Sequence, residues 1–112
     1  MANHSVIRRL SALCSNSTSQ DVILDSYPYL SMIAWNNIVA RDPDHAPTRI
    51  ELLLMRSSRE YYLNSQAPAA AGLCVSLPNS IIAPGDYRIC ARFVGATAGD
   101  TLEVCACGEE LG

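Results

Sequence analysis

Short β-prone runs recur along the chain between closely spaced turn signals, and no stretch keeps the 3.6-residue period of an amphipathic helix. The turns are rich in Gly, Pro, Asn, Asp and Ser, as in "RDPDHAP", "APGD" and "GATAGD". Many short strands at regular spacing are typical of a β-sandwich or barrel. The pattern therefore predicts an all-β fold, an antiparallel sandwich of jelly-roll or immunoglobulin-like type with about seven to nine strands. The predicted strands cover residues 5–13, 20–25, 30–40, 48–56, 59–64, 70–77, 80–83, 86–94 and 101–107.

One run is open to two interpretations. "TRIELLLMRS" could form a single buried helix, but the proline before it and "SSRE" after it favour a strand. The chain has 112 residues, which fits one domain over 1–112, with about 1–14 as a candidate N-terminal arm. That length can bury one core without a metal or disulfides.

Side chains alternate between the two faces of a strand, so the apolar positions of each run predict the core. The inward positions contribute branched aliphatic and aromatic side chains from most of the predicted strands. The expected core consists of Leu30, Ile33, Trp35, Ile50, Leu52, Leu54, Leu73, Val75, Tyr87, Ile89, Phe93, Leu102 and Val104.

The charge and the lack of targeting signals argue against several classes of protein. The net charge is −3 and charged residues make up 17% of the chain, which argues against an electrostatic nucleic-acid binder. No segment is apolar for long enough to cross a membrane. Arg8 and Arg9 interrupt the N-terminal segment, so no secretory signal is expected. Five cysteines are then unexpected, because disulfides belong mainly to secreted chains.

The same alternation turns four cysteines toward polar faces. Cys90 lies between two arginines, Cys105 and Cys107 follow Glu103 on one face, and Cys74 faces away from its apolar neighbours. The alternative is that one or two registers are shifted and these are ordinary core cysteines, since free cysteine is usually buried. Cys14 is ambiguous, because neither alternation in "SVIRRLSALC" is clean.

If the last two predicted strands form a hairpin, the register allows two pairings. Cys90 lies opposite Cys105, which also places Arg92 opposite Glu103, or it lies opposite Cys107. Directly opposed cysteines can bridge, although often with strain. An odd total points to a free thiol or a bond between chains. The candidates for disulfides, at least one of them between chains, are Cys14, Cys74, Cys90, Cys105 and Cys107.

No catalytic or metal motif emerges. Cys-x-Cys on one strand fits zinc poorly, a C-x-x-C motif is absent, and His45 in "RDPDHAP" is expected to be an exposed loop histidine. The sequon Asn16-Ser17-Thr18 is expected to serve turn chemistry, and Glu109 with Glu110 a solvated tail. The prediction is a protein that is not an enzyme and has no cofactor and no metal.

From about Leu30 to residue 112, the chain resembles small virion proteins of tailed bacteriophages. The resemblance rests on turn chemistry: a Tyr-rich strand end, a small-residue turn, a P-G-D turn and a closing G-x-E. It implies a non-enzymatic role on a phage particle, with symmetric copies. The residues that carry it are Tyr61, Tyr62, Ala71-Gly72, Ile81, Pro84-Gly85-Asp86, Ala96 to Asp100, Gly108 and Glu110.

The resemblance implies most directly a capsid decoration protein in the virion. The alternative that it implies is a component of the phage neck, collar or tail. Its expected partners are the major capsid protein or neighbouring copies of itself. Synthesis in the host cytoplasm and release by lysis would oxidise outward thiols only after assembly. A carbohydrate- or host-binding module is a further alternative, and a small metal or redox enzyme ranks last. The host-binding alternative would use exposed aromatics among Tyr27, Tyr29, Trp35, Tyr61 and Tyr62.

Overall fold

The computed structural model describes residues 5–111, and within them the chain forms nine strands and no helix. No helix that could span a membrane therefore occurs in this part of the chain. "TRIELLLMRS" is a strand, as its flanks indicated. The strands are β1 (Ser5–Leu13), β2 (Ser19–Ile23), β3 (Met32–Arg41), β4 (Arg49–Arg56), β5 (Arg59–Gln66), β6 (Val75–Ser76), β7 (Ile81–Pro84), β8 (Arg88–Val94) and β9 (Thr101–Leu111).

The strands build two antiparallel sheets. Sheet A has the order β1-β9-β3-β6, and β7 also pairs with β3, so the short strands β6 and β7 share one edge of β3. Sheet B has the order β2-β8-β4-β5. If β6 and β7 are counted as one interrupted strand, each sheet has four strands. The strand order is then that of a jelly roll and not that of an immunoglobulin-like sandwich.

The core lies between the sheets and draws on both. Ile33 and Trp35 of sheet A pack in the same buried cluster as Ile50 and Phe93 of sheet B. A bulge between Trp35 and Asn37 shifts the alternation of β3 by one residue, so that Ile38 also faces inward. The sequence pattern predicted most of this core, because alternation follows directly from strand geometry.

Three core assignments need correction. Leu73 is 49% exposed, because the predicted strand over 70–77 forms only at Val75–Ser76 and the residues before it belong to a turn. Leu30 and Tyr87 are only partly buried against the core. The other ten predicted core residues are buried.

Both ends of the described chain belong to sheet A. The candidate arm over 1–14 falls largely on β1, which pairs with β9 along its full length, while residues 1–4 lie outside the described part. Glu109 and Glu110 are strand residues of β9, which corrects their assignment to a solvated tail. β9 therefore extends beyond the predicted end at residue 107 and runs between β1 and β3.

Candidate functional site

Three exposed or half-exposed thiols lie on the outer surface of sheet A. Cys105 is flanked by Arg9 and Val39, and Cys107 is flanked by Ile7 and Asn37. The inward neighbours Leu102 and Val104 are buried, which confirms the alternation of β9. We call this surface the thiol face; it comprises Ile7, Arg9, Asn37, Val39, Cys74, Cys105 and Cys107.

Cys74 reaches the thiol face from the connection between β5 and β6. It lines a shallow depression of 310 Å³ together with Cys105, Arg9 and Arg41. Arg41 is held beside the depression by its ion pair with Glu103, in which Nε and Oε1 are 2.6 Å apart. Two thiols that share one open depression are accessible to reagents and to a neighbouring chain.

Cys90 and Cys14 do not belong to this surface. Cys90 is on the outer side of sheet B, as the alternation predicted, but it is fully buried, with the charged groups of Asp21, Arg92 and Glu60 close by. Burial raises the pKa of the Cys90 thiol to about 12, so the thiol stays protonated. Cys14 is 3% exposed, and its Sγ donates to the Asn16 carbonyl. The alternation therefore predicted the face of Cys90 correctly, but the expectation of an accessible thiol at this position is wrong.

The predicted hairpin that pairs Cys90 with Cys105 or Cys107 is also wrong. β8 pairs with β2 and β4 in sheet B, whereas β9 pairs with β1 and β3 in sheet A. Cys90 and Cys105 consequently lie on opposite outer sides of the sandwich. All five cysteines are free thiols.

The outer side of sheet B has a different chemistry from the thiol face. Arg92 donates to both carboxylate oxygens of Asp21 and both of Glu60, with the shortest contact at 2.6 Å, and also to the Tyr62 hydroxyl. The hydrogen bond from Arg92 holds the pKa of Glu60 below its usual value. The predicted pairing of Arg92 with Glu103 is replaced by this network, since the two residues lie in different sheets.

An acidic corner, formed by Asp42, Asp44, His45 and Asp100, lies where the β3–β4 and β8–β9 connections meet. Asp42 and Asp100 are 1% and 4% exposed, and His45 Nδ1 is 2.9 Å from Asp100 Oδ1. His45 is exposed, as predicted, but its pairing with a buried carboxylate was not foreseen. The signal available in the sequence was an Asp at the end of one strand and another just before the last strand.

The sequon contributes a turn, as predicted. The Thr18 amide donates to Asn16 Oδ1 over 3.0 Å, which is the Asx-turn geometry expected of an asparagine at this position.

The His45–Asp100 pair predicts how stability changes with pH. The hydrogen bond and charge of Asp100 raise the pKa of His45 above 6.5. The contribution of the His45–Asp100 pair to the free energy of unfolding is therefore complete below the unfolded-state pKa of His45. It disappears as the pH rises through the higher folded-state pKa. The melting temperature of the wild type should fall more between about pH 6 and pH 8 than that of H45Q, measured by thermal denaturation. Parallel curves for the two proteins would contradict this assignment.

Comparisons with known proteins give similarities to solved structures only. No protein-family model matches the chain, and no curated protein gives a significant match. An infectious bursal disease virus (Gt strain) structure has 14% identity and a TM-score of 0.44, covering 96% of this chain and 30% of that chain. The Drosophila NLP core, described in connection with pentamer formation and histone binding, has 8% identity and a TM-score of 0.49, covering 97% and 100%. FLHE has 11% identity and a TM-score of 0.45, covering 96% and 98%.

This chain thus spans less than a third of the virus chain, and these three TM-scores lie below 0.5. Viral structures are among those similar to this chain, but likeness at this level decides nothing about activity.

Proposed function

We propose that this protein is a non-enzymatic structural component of a virus particle and, within that class, a capsid decoration protein of a tailed bacteriophage. The proposal is supported by the phage-like turn motifs and by the jelly-roll arrangement, which viral capsid domains commonly use. Since one fold serves many functions, the thiol face has to carry the argument.

The observation that carries the proposal is the difference between the two outer sides of the sandwich. Sheet B presents a charged network around Arg92. Sheet A presents the thiol face, which includes the exposed Ile7. The exposed side chains of Leu13 in β1 and Ile82 in β7 lie on the same outer side of sheet A. Apolar residues gathered on one side of a small domain mark an interaction surface. The occupant that fits is another virion subunit, either the major capsid protein or a neighbouring copy.

The absence of catalysis is part of the same proposal. The depression on the thiol face is shallow, and those of 300 and 220 Å³ elsewhere are lined mainly by arginine, serine, tyrosine and aliphatic side chains. His45 lines none of these depressions. A surface of this kind suits packing against another subunit better than enclosing a substrate.

The three accessible thiols provide a way to fix the subunit after assembly. Each bridge forms when two thiols lose two protons and two electrons to dioxygen or a small disulfide, which is reduced in turn. The reducing cytosol prevents this during assembly, and the medium after lysis permits it. A subunit joined in this way cannot dissociate until the bond is reduced, so the gain is in kinetic stability.

Non-reducing electrophoresis of the native particles tests the proposed cross-links. Multimers that collapse to a 12.1 kDa band with reductant are expected. C105S, C107S or C74S should remove part or all of the multimer ladder, because these thiols reach the surface. The control C90A should leave the ladder intact, because Cys90 is buried. A monomer band without reductant, with three thiols freely titratable in the particle, would contradict the cross-links.

Finding the chain in purified particles tests the structural role itself. Mass spectrometry should detect it in intact phage, and particles lacking it should retain their capsid and accept added protein. A location at the neck, collar or tail by labelled electron microscopy would favour the runner-up position. Absence from particles would contradict the whole proposal.

A second candidate, a carbohydrate- or host-binding module, is favoured by one observation. Tyr61 and Tyr87 have ring centroids 6.0 Å apart beside Arg56 and Arg59, and these side chains line the depression of 300 Å³. Stacking aromatics beside arginines suit a sugar ring with acidic groups. Trp35 is buried and contributes nothing to this site. Binding to a glycan array that Y61A abolishes would support this candidate.

A further inference from the structure

Three carboxylates in the acidic corner lie close enough to share one ion. One oxygen from each of Asp42, Asp44 and Asp100 lies within 4.8 Å of the others. Calcium holds oxygen ligands at about 2.3–2.6 Å, so oxygens on opposite sides of it are roughly 5 Å apart. The spacing of the three oxygens is therefore compatible with a single calcium-sized ion.

The donors in the corner leave one buried carboxylate oxygen without a partner. Asp42 Oδ1 accepts from the amides of Asp44 and His45, at 2.9 and 3.2 Å. Asp42 Oδ2 is buried and has no hydrogen-bond donor. The Thr101 amide donates to Asp44 Oδ2 at 3.2 Å. A buried carboxylate oxygen without a donor is costly, which points to a missing cation or proton.

Few positive charges lie near the corner to balance the three carboxylates. Among residues 5–111, the cationic group in contact with the corner is His45, which pairs with Asp100 and whose ring is largely exposed. Arg41, adjacent in sequence to Asp42, is engaged with Glu103.

We propose that Asp42, Asp44 and Asp100 form a binding site for a divalent cation of the calcium type. Asp42 supplies its orphaned Oδ2, Asp100 supplies an oxygen from the opposite loop, and exposed Asp44 leaves one side open for water ligands. Calcium is favoured over magnesium, because magnesium demands shorter distances and strict octahedral geometry. The backbone of the corner is already tied down, since the Gly72 amide donates to the Asp42 carbonyl and the Cys14 amide to that of Asp100.

The cation would hold the β3–β4 and β8–β9 connections together at one end of the sandwich. A ligand that binds only the folded state raises its stability with concentration. Each tenfold increase of calcium above the dissociation constant should raise the melting temperature by about 5 °C. Magnesium at the same concentration should raise it less.

The experiment compares the wild type with D42N and D44N in CaCl2, MgCl2 and EDTA, by thermal denaturation and titration calorimetry. In D42N, the amide oxygen can keep the two backbone bonds while the amide nitrogen donates to Asp100, so the fold should persist. Both variants should lose most of the calcium response. D25N, which removes one exposed carboxylate elsewhere, is the charge-matched control and should keep it.

Two results would overturn the site. One is a wild-type melting temperature that does not respond to calcium up to about 10 mM, well above the range of weak sites. Together with a more stable D42N, this would show that a shared proton satisfies the pair instead. The other is an equal calcium response in the wild type and D42N, which would locate any binding elsewhere.

Discussion

Replacing Phe93 with alanine is expected to remove about 3–5 kcal/mol from the free energy of unfolding. Phe93 is fully buried at the centre of sheet B, where its strand neighbours are Gln20 and Ile50. The substitution deletes an entire ring and leaves a cavity between the two sheets. The sheets cannot move together far enough to fill it. Domains of this size have about 5–15 kcal/mol of stability in total, so the loss is a large fraction of it. Urea denaturation followed by fluorescence and circular dichroism measures the change.

The matched control for this prediction is Y29A. Tyr29 is 76% exposed and meets Tyr27 edge to face, with ring centroids 6.0 Å apart. Removal of an exposed aromatic ring should cost less than about 1 kcal/mol. Equal losses in F93A and Y29A would mean that the core is not where the structure places it.

Replacing Gly108 with alanine is expected to cost about 3 kcal/mol or more, at the upper end of the range for overpacking. Gly108 lies in β9 between Val6 of β1 and Trp35 of β3, at the bulge. A Cβ at this position would collide with the Ala34 carbonyl oxygen and approach the Trp35 Cα. These are backbone atoms of a central strand, so they cannot move aside as a side-chain tip would.

G99A separates this collision from the general effect of removing a glycine. Gly99 has a φ of +91° and no heavy atom near its missing Cβ, so alanine there pays only the conformational cost of about 1–2 kcal/mol. Denaturant midpoints of the two variants should differ clearly. If G108A proved as stable as the wild type, the close approach of β9 to β3 would be wrong.

The strands and most of the core were predictable from the sequence because both follow from a local period. The predicted and observed limits of β1 coincide, and those of β4 and β8 differ by no more than two residues. The failure at Leu73 has a local cause as well. Alternation can be counted through a turn as easily as through a strand, and only backbone hydrogen bonds distinguish the two.

Partners across the sandwich could not be predicted in the same way. Cys90 and Cys105 are on neighbouring strands in sequence, yet the jelly-roll crossover assigns them to opposite sheets. The acidic corner was missed for a related reason, since Asp42 and Asp100 meet only after both connections have folded to the same end. Spacing along the chain carries no information on such contacts.

The burial of two cysteines changes what the odd count means. With Cys14 and Cys90 enclosed, three thiols remain on the thiol face, which is again an odd number. Even if two of them were to pair with each other or with one neighbour, a third remains available. The prediction of a bond between chains therefore now concerns Cys74, Cys105 and Cys107 alone.

The pairing of β1 with β9 also limits when sheet A can fold during synthesis. A ribosome releases β1 early, but the strand that pairs with it emerges only with Thr101–Leu111. β9 also separates β1 from β3, so sheet A stays divided until then. Contacts between such distant parts of a chain make folding slow. Until β9 has been made, the apolar side chains of β1 have no native partner strand, and an unpaired apolar strand of this kind is prone to aggregation.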